Sequence, residues 1–264
     1  MAPCSDLLRG ITASMLLALC STAAWAQNAA ADEPSVTPYR PSVSTPAALS
    51  APGWLEVETG LQRDRGADAA RSNSLSYTFK LAFTADWGVR VGGDAWVRQT
   101  DENGQRISGG GDTGIVLKRR FAVDETHAFG IELGATLPTG RTGIGSDKSD
   151  TSLNGIYSAD FGMYHLDANL AATRFGRADP ATSRVQVLWA AGVSRPLNER
   201  WSATAELSGT RQRGASSTQQ VLLAAGYTVS NRLALDVGAS RSLRSGVPDW
   251  SAFAGLTWLA ARLF

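Results

Sequence analysis

Cysteine is nearly missing from this chain. Its two cysteines, Cys4 and Cys20, both fall in the extreme N-terminal segment, so a chain trimmed of that segment has no disulfide and no thiolate metal site. Long apolar runs are missing as well. Past the N-terminal segment nothing approaches the roughly 18 apolar residues of a membrane-spanning helix, which excludes a helical membrane protein. Excess charge of one sign is absent: 25 Lys and Arg balance 24 Asp and Glu, and nothing is basic enough for a nucleic-acid partner. Histidine is limited to His127 and His165. They sit in no metal-ligand spacing, so neither a metal nor a cofactor is expected. The glycines from Gly140 to Gly145 lack the Gly-Lys-Ser/Thr ending of a phosphate loop and read as a flexible loop.

What the chain does have is alternation. In GDTGIVLKRRFAVDETHAFGIELGATLPTG, residues 111–140, Thr113, Ile115, Leu117 and Phe121 alternate with polar neighbours, and only Arg119 breaks the apolar face. After a polar turn, Phe129, Ile131, Leu133, Ala135 and Leu137 alternate with Gly130, Glu132, Gly134 and Thr136. This is a hairpin with one apolar and one polar face. The period recurs about twelve times from Trp54 to the C-terminus. Connections alternate too: tight turns such as ADWG, DFG and SNR follow even strands, and longer polar loops such as QTDENGQRISGGG and PTGRTGIGSDKSD follow odd ones. Short turns at one rim and long loops at the other, with Phe83, Trp87, Phe121, Phe129, Phe161, Tyr164, Trp201, Tyr227 and Trp258 beside the short turns, predict an all-β, transmembrane, antiparallel up-and-down barrel of about twelve strands in the outer membrane of a Gram-negative cell.

The ends fit that address. Arg9, the apolar run Ile11 to Leu19 and the A-x-A site Ala24-Trp25-Ala26 read as a secretory signal over residues 1–26. Leu19 before Cys20 is too large for a lipidation site. Residues 27–52, rich in Ala, Pro and Ser and without periodicity, predict a mobile periplasmic lead-in, with docking into the barrel mouth as a plug the alternative reading. Residues 53–264 then form the barrel.

Strand parity names the candidate functional residues. Glu56, Glu58, Lys80, Arg90, Lys118, Arg120 and Glu132 all have inward parity near the short turns and predict a compensated charge band lining the lumen, with Lys118 across from Glu132. Strands nine to twelve are mostly uncharged inside, Glu206 and Asp236 excepted. Asp94, Trp96 and Arg98 share inward parity as candidate solute contacts, Trp96 as a stacking platform or a space-filling plug residue. No catalytic residue is expected. Both histidines lie at the short-turn end, away from outer-leaflet chemistry, and Glu56 and Glu58 read better as paired lumen charges than as an acid/base couple.

RPSVSTPAALSAPGWLEVE, GDTGIVLKRRF, ELGATLPTG and AGLTW resemble the outer-membrane transporter-like family labelled MetA pathway of phenol degradation. The resemblance covers essentially the mature chain and names no catalytic residue. It implies a barrel that passes small, aromatic or hydrophobic solutes. Phe264 matches the aromatic end read by barrel-assembly machinery, whereas Arg262 stands where such ends carry an apolar residue. The expected partners are therefore outer-membrane lipid, that machinery and a small-molecule solute. A passive channel is the first reading; a barrel enzyme acting on lipid and a closed structural barrel are the alternatives.

Overall fold

The computed structural model describes residues 34–66, 70–244 and 249–264; the signal-peptide reading lies outside the described residues. Ser35–Phe264 form one compact unit. Its strands are β1 (Trp54–Arg65), β2 (Arg71–Ala82), β3 (Trp87–Thr100), β4 (Arg106–Gly109), β5 (Thr113–Ala122), β6 (His127–Leu137), β7 (Asp150–Phe161), β8 (Tyr164–Arg174), β9 (Val185–Pro196), β10 (Trp201–Gln212), β11 (Thr218–Ser230), β12 (Leu233–Ser242) and β13 (Trp250–Arg262). Each long strand pairs antiparallel with its neighbour. β1 also pairs β13, from Trp54 opposite Arg262 to Arg65 opposite Trp250, and closes a twelve-stranded barrel. The thirteenth strand, β4, is a short addition within the loop after β3: β3 pairs β5 over Trp87–Gly93 and β4 over Val97–Thr100.

Closure satisfies the backbone groups of every wall strand, which is what lets an apolar face meet lipid without open edges. The outward positions carry the large apolar side chains and are exposed, among them Leu61, Leu133, Leu170, Leu223 and Val237. The inward positions carry the buried polar ones: Glu56, Glu58, Lys80, Lys118, Glu132 and Glu206. Arg119, the break in the outward face of β5, lies over the rings of Trp87 (5.0 Å) and Phe121 (4.6 Å). There its charge rests in the aromatic girdle of the short-turn rim.

Two sequence expectations are corrected. On β3, Leu75 of β2 faces Trp96 while Ser76 faces Asp94, so Ala95 is an extra residue in a β-bulge. A bulge shifts the period of two by one. Beyond it Val97 turns inward and is buried, and Trp96 and Arg98 face outward rather than into the lumen. The second correction concerns residues 35–52, expected to be a mobile lead-in. They enter the barrel and bond to inward side chains of β1, β2, β5, β7, β8, β10 and β12, which surround them on all sides. Proline bars regular structure in this segment but leaves its remaining N–H groups free to bond the wall.

Candidate functional site

The lumen is built around that inserted segment. With no ladder of its own, it gives its backbone N–H groups to wall side chains. Thr37 N donates to Glu56 Oε2 (2.9 Å) and Tyr39 N to Glu58 Oε1 (2.7 Å). Val43 N (3.1 Å), Ser44 N (2.8 Å) and Ser44 Oγ (2.6 Å) all donate to Glu206. Thr45 N donates to Asn169 Oδ1 (2.5 Å) and Ala47 N to Ser158 Oγ (2.7 Å). In return Lys80 Nζ donates to Thr37 O (2.6 Å) and Lys118 Nζ to Pro46 O. Arg40 spans to Asp236 (3.3 Å). Inward glycines make room: a Cβ on Gly60 or Gly255 would lie 2.4 or 2.5 Å from Arg40, and one on Gly192 would lie 2.8 Å from Ser44 Oγ.

Six of the seven residues of the expected charge band converge beside this segment. Lys80 Nζ lies 2.5 Å from Glu56 and 2.6 Å from Glu58. Glu132 takes Lys118 at 3.5 Å and Arg90 at 3.6 Å, and Asn154 Nδ2 donates to it at 3.0 Å. Three cations and three carboxylates thus compensate one another. The Tyr39 ring packs between them, 3.9 Å from Lys80 Nζ and 4.3 Å from Lys118 Nζ, while Lys118 donates to the Tyr39 hydroxyl (3.0 Å). Arg120, the seventh, is half-buried and joins no ion pair among the described residues.

Among the described residues two cavities lie in the lumen, the first against the inserted segment and the second beyond it, where Arg40 reaches Ser76 of its lining. One, about 440 Å³, lies toward the short turns, between residues 36–48 and a wall that includes His165, Asp167, Ser194, Thr204 and Asp236. The other, about 620 Å³, lies toward the long loops and is lined by Gln62, Asp64, Ser74, Asp94, Gln99 and Asp112, among others. Of the three candidate solute contacts only Asp94 faces a cavity. His165 bonds Asp160 (2.6 Å) and Asp167 (3.2 Å), and Ser158 Oγ donates directly to Asp167 (2.5 Å). The hydroxyl has no imidazole base beside it, so this is not a nucleophile-base-orienter array. Glu56 and Glu58 are occupied by Lys80 and the backbone of the inserted segment. No group of three metal-ligating side chains occurs among the described residues.

Sequence reasoning missed Tyr39, Arg40, Ser44, Ser158 and Asn169, which hold the segment in place. The available signal was the glycine at inward positions of β1, β9 and β13, where a barrel with an empty lumen has no need of it.

The sequence matches the family described as "Putative MetA-pathway of phenol degradation" over residues 121–261. Among solved structures, an outer membrane channel from Pseudomonas putida F1 is similar with a TM-score of 0.61 at 13% identity, over 80% of this chain and 97% of that one. The toluene transporter TodX of P. putida gives 0.52 at 10% identity, over 80% and 91%. The KdgM porin gives 0.53 at 11%, over 78% and 99%. No curated protein matches the sequence.

Proposed function

The chain belongs to the MetA-pathway of phenol degradation family, and from that membership we propose that it is a narrow outer-membrane channel for passive passage of small solutes, constricted by its own residues 35–52. The observation that carries this reading is the pair of cavities, about 440 and 620 Å³, separated by a segment held through hydrogen bonds rather than covalently. Such bonds open on the timescale of loop motion. Each cavity is large enough for a small ring compound together with water. The family description and the likeness to the toluene transporter TodX support an aromatic solute, and the polar lining supports one with a polar edge, such as an aromatic alcohol. The short turns face the periplasm, residues 1–26 are removed on export, and the exposed Phe264 is available to barrel-assembly machinery. The channel reading stands above an enzyme because the only histidines lie at the short-turn end and Ser158 has no base.

Conductance in planar bilayers tests this. The mature chain should conduct in small unitary steps, and a chain lacking residues 35–52 in several-fold larger ones, with both migrating as compact species on unheated gels. Identical steps would remove the segment as the constriction. Two folded but silent proteins would make this a closed structural barrel.

A further inference from the structure

On the outward face at the long-loop rim, arginine stands opposite arginine. Arg65 of β1 faces Arg71 of β2. Arg65 also faces Trp250 of β13, which faces Arg241 of β12. In the adjacent row Arg63 faces Asn73, and Asn73 faces Arg98. Thr100, opposite Arg71, faces Arg106 of β4. All six arginines are exposed, and none forms an ion pair among the described residues. Like charges directly across a ladder destabilise it, and no carboxylate among the described residues compensates them, so this face offers a site for an external anion. Immediately below, about 7 Å along the strands, runs an apolar row in which Leu61 faces Leu75 and Leu75 faces Trp96. The cations therefore lie at the level where acyl chains give way to headgroups. The bulge at Ala95 matters here, because it moves Trp96 and Arg98 out of the lumen and into this surface.

We propose that this arginine patch binds the phosphate groups of an anionic glycolipid of the outer leaflet, with Arg65 and Arg71 sharing one phosphate and Arg63 and Arg98 reaching a second. Guanidinium forks fit phosphate oxygens bidentately, and the apolar row receives the acyl chains. The proposal rests on the outer-membrane location given above but not on channel activity.

The test uses the full mature chain in detergent with two probes, bisphosphorylated lipid A and the same lipid after phosphatase treatment, each in phosphatidylcholine micelles. The expected result is salt-sensitive binding of the phosphorylated lipid. The Arg65→Gln, Arg71→Gln double variant should bind about thirtyfold more weakly, each cation near an anionic lipid surface contributing about fivefold, with unchanged conductance. The dephosphorylated lipid should bind weakly to both proteins. Equal binding of the two lipids by the unaltered chain would overturn the proposal, and so would a folded double variant that binds as the parent does. If the double variant does not fold, the comparison of lipids on the unaltered chain still decides, and Arg65→Lys with Arg71→Lys should retain salt-sensitive binding at reduced strength. An unaltered chain that binds the phosphorylated lipid but does not conduct would count against the channel reading alone.

Discussion

The two walls of the lumen hold the same segment in different ways. On β1 to β6 the charged residues satisfy one another first: Lys80 pairs with Glu56 and Glu58, and Lys118 and Arg90 with Glu132, before any reaches the backbone of residues 35–52. On β10 and β12 the charges have no cation on the wall. Glu206, 2% exposed, is satisfied by Val43 N, Ser44 N and Ser44 Oγ, and Asp236 by Arg40, all from the inserted segment. A buried carboxylate is tolerable only when fully partnered. The first wall therefore remains a compensated network when the segment leaves, while the second keeps its charges buried only as long as the segment stays. The first wall is a scaffold and the second a latch.

The largest effect expected from this asymmetry lies on the scaffold. Lys80→Met leaves Glu56 and Glu58 buried without a cation and should destabilise the barrel by about 3 to 5 kcal/mol. Adding Glu58→Gln should recover part of the loss. Thermal melting in detergent reads both changes. If Lys80→Met melted like the parent, the cluster would be too wet to be the scaffold proposed here.

Lipid-facing parity gives a comparison on β9. Val187→Lys, on the outer face near the long-loop end and opposite exposed Arg211, adds a like charge to the lipid side and should lower stability in bilayers by about 1 to 2 kcal/mol. Its inward neighbour Gln186, which bonds Gln212 at 3.2 Å, should accept Leu at far smaller cost. Equal losses would mean that the faces of this wall are misassigned.

On the latch, Glu206→Gln should separate stability from gating. The amide still accepts one or two of the three hydrogen bonds but no longer as an ion, at about 1.5 to 3 kcal/mol for charge-assisted bonds. The cost falls on the docked state of residues 35–52, because the released state sheds a bare charge. Melting should shift less than in Lys80→Met, whereas opening events in single-channel records should rise by about tenfold or more. A barrel that melts early without opening more often would refute the distinction between the walls.

Much of this arrangement was legible in the sequence, for a reason that also explains what was not. Parity is local, so the charge band from Glu56 to Glu132 could be read from each strand alone, and Lys118 does face Glu132 across β5 and β6. Parity fails at a bulge, and nothing in VGGDAWVRQ distinguishes Ala95 as an extra residue; hence Trp96 and Arg98 were assigned to the wrong face. Arg120 has the right parity but stops short of the cluster, because depth along the lumen depends on barrel stagger rather than on alternation. The insertion of residues 35–52 is a contact between an aperiodic segment and seven strands, and no period in either partner encodes it. Only the inward glycines record the fit.

A third carboxylate repeats the latch in water and separates the device from the burial that strengthens it. Asp112, in the loop between β4 and β5, accepts Gly140 N (2.8 Å), Ser146 N (2.6 Å) and Ser146 Oγ (2.7 Å), and so pins the loop from 138 to 149 over the larger cavity. Burial works to raise its pKa, but the hydrogen bonds from Ser146 and Gly140 outweigh that and hold the carboxyl below its ordinary value. The sign follows from this. A depressed pKa contributes stability that is fully present above the unfolded value of about 3.9 and is lost as pH falls through the folded one. The loop should therefore stay pinned at neutral pH and loosen only below about pH 4, read as added current noise or faster proteolysis after Arg141. Asp112→Asn should show the loosened behaviour already at pH 7 and no further change on acidification. Because water solvates the released carboxylate, the loss should be about 1 kcal/mol, smaller than at Glu206. A loss as large as that at Glu206 would mean that the geometry of the carboxylate clamp, and not the dry lumen, is what makes the latch strong.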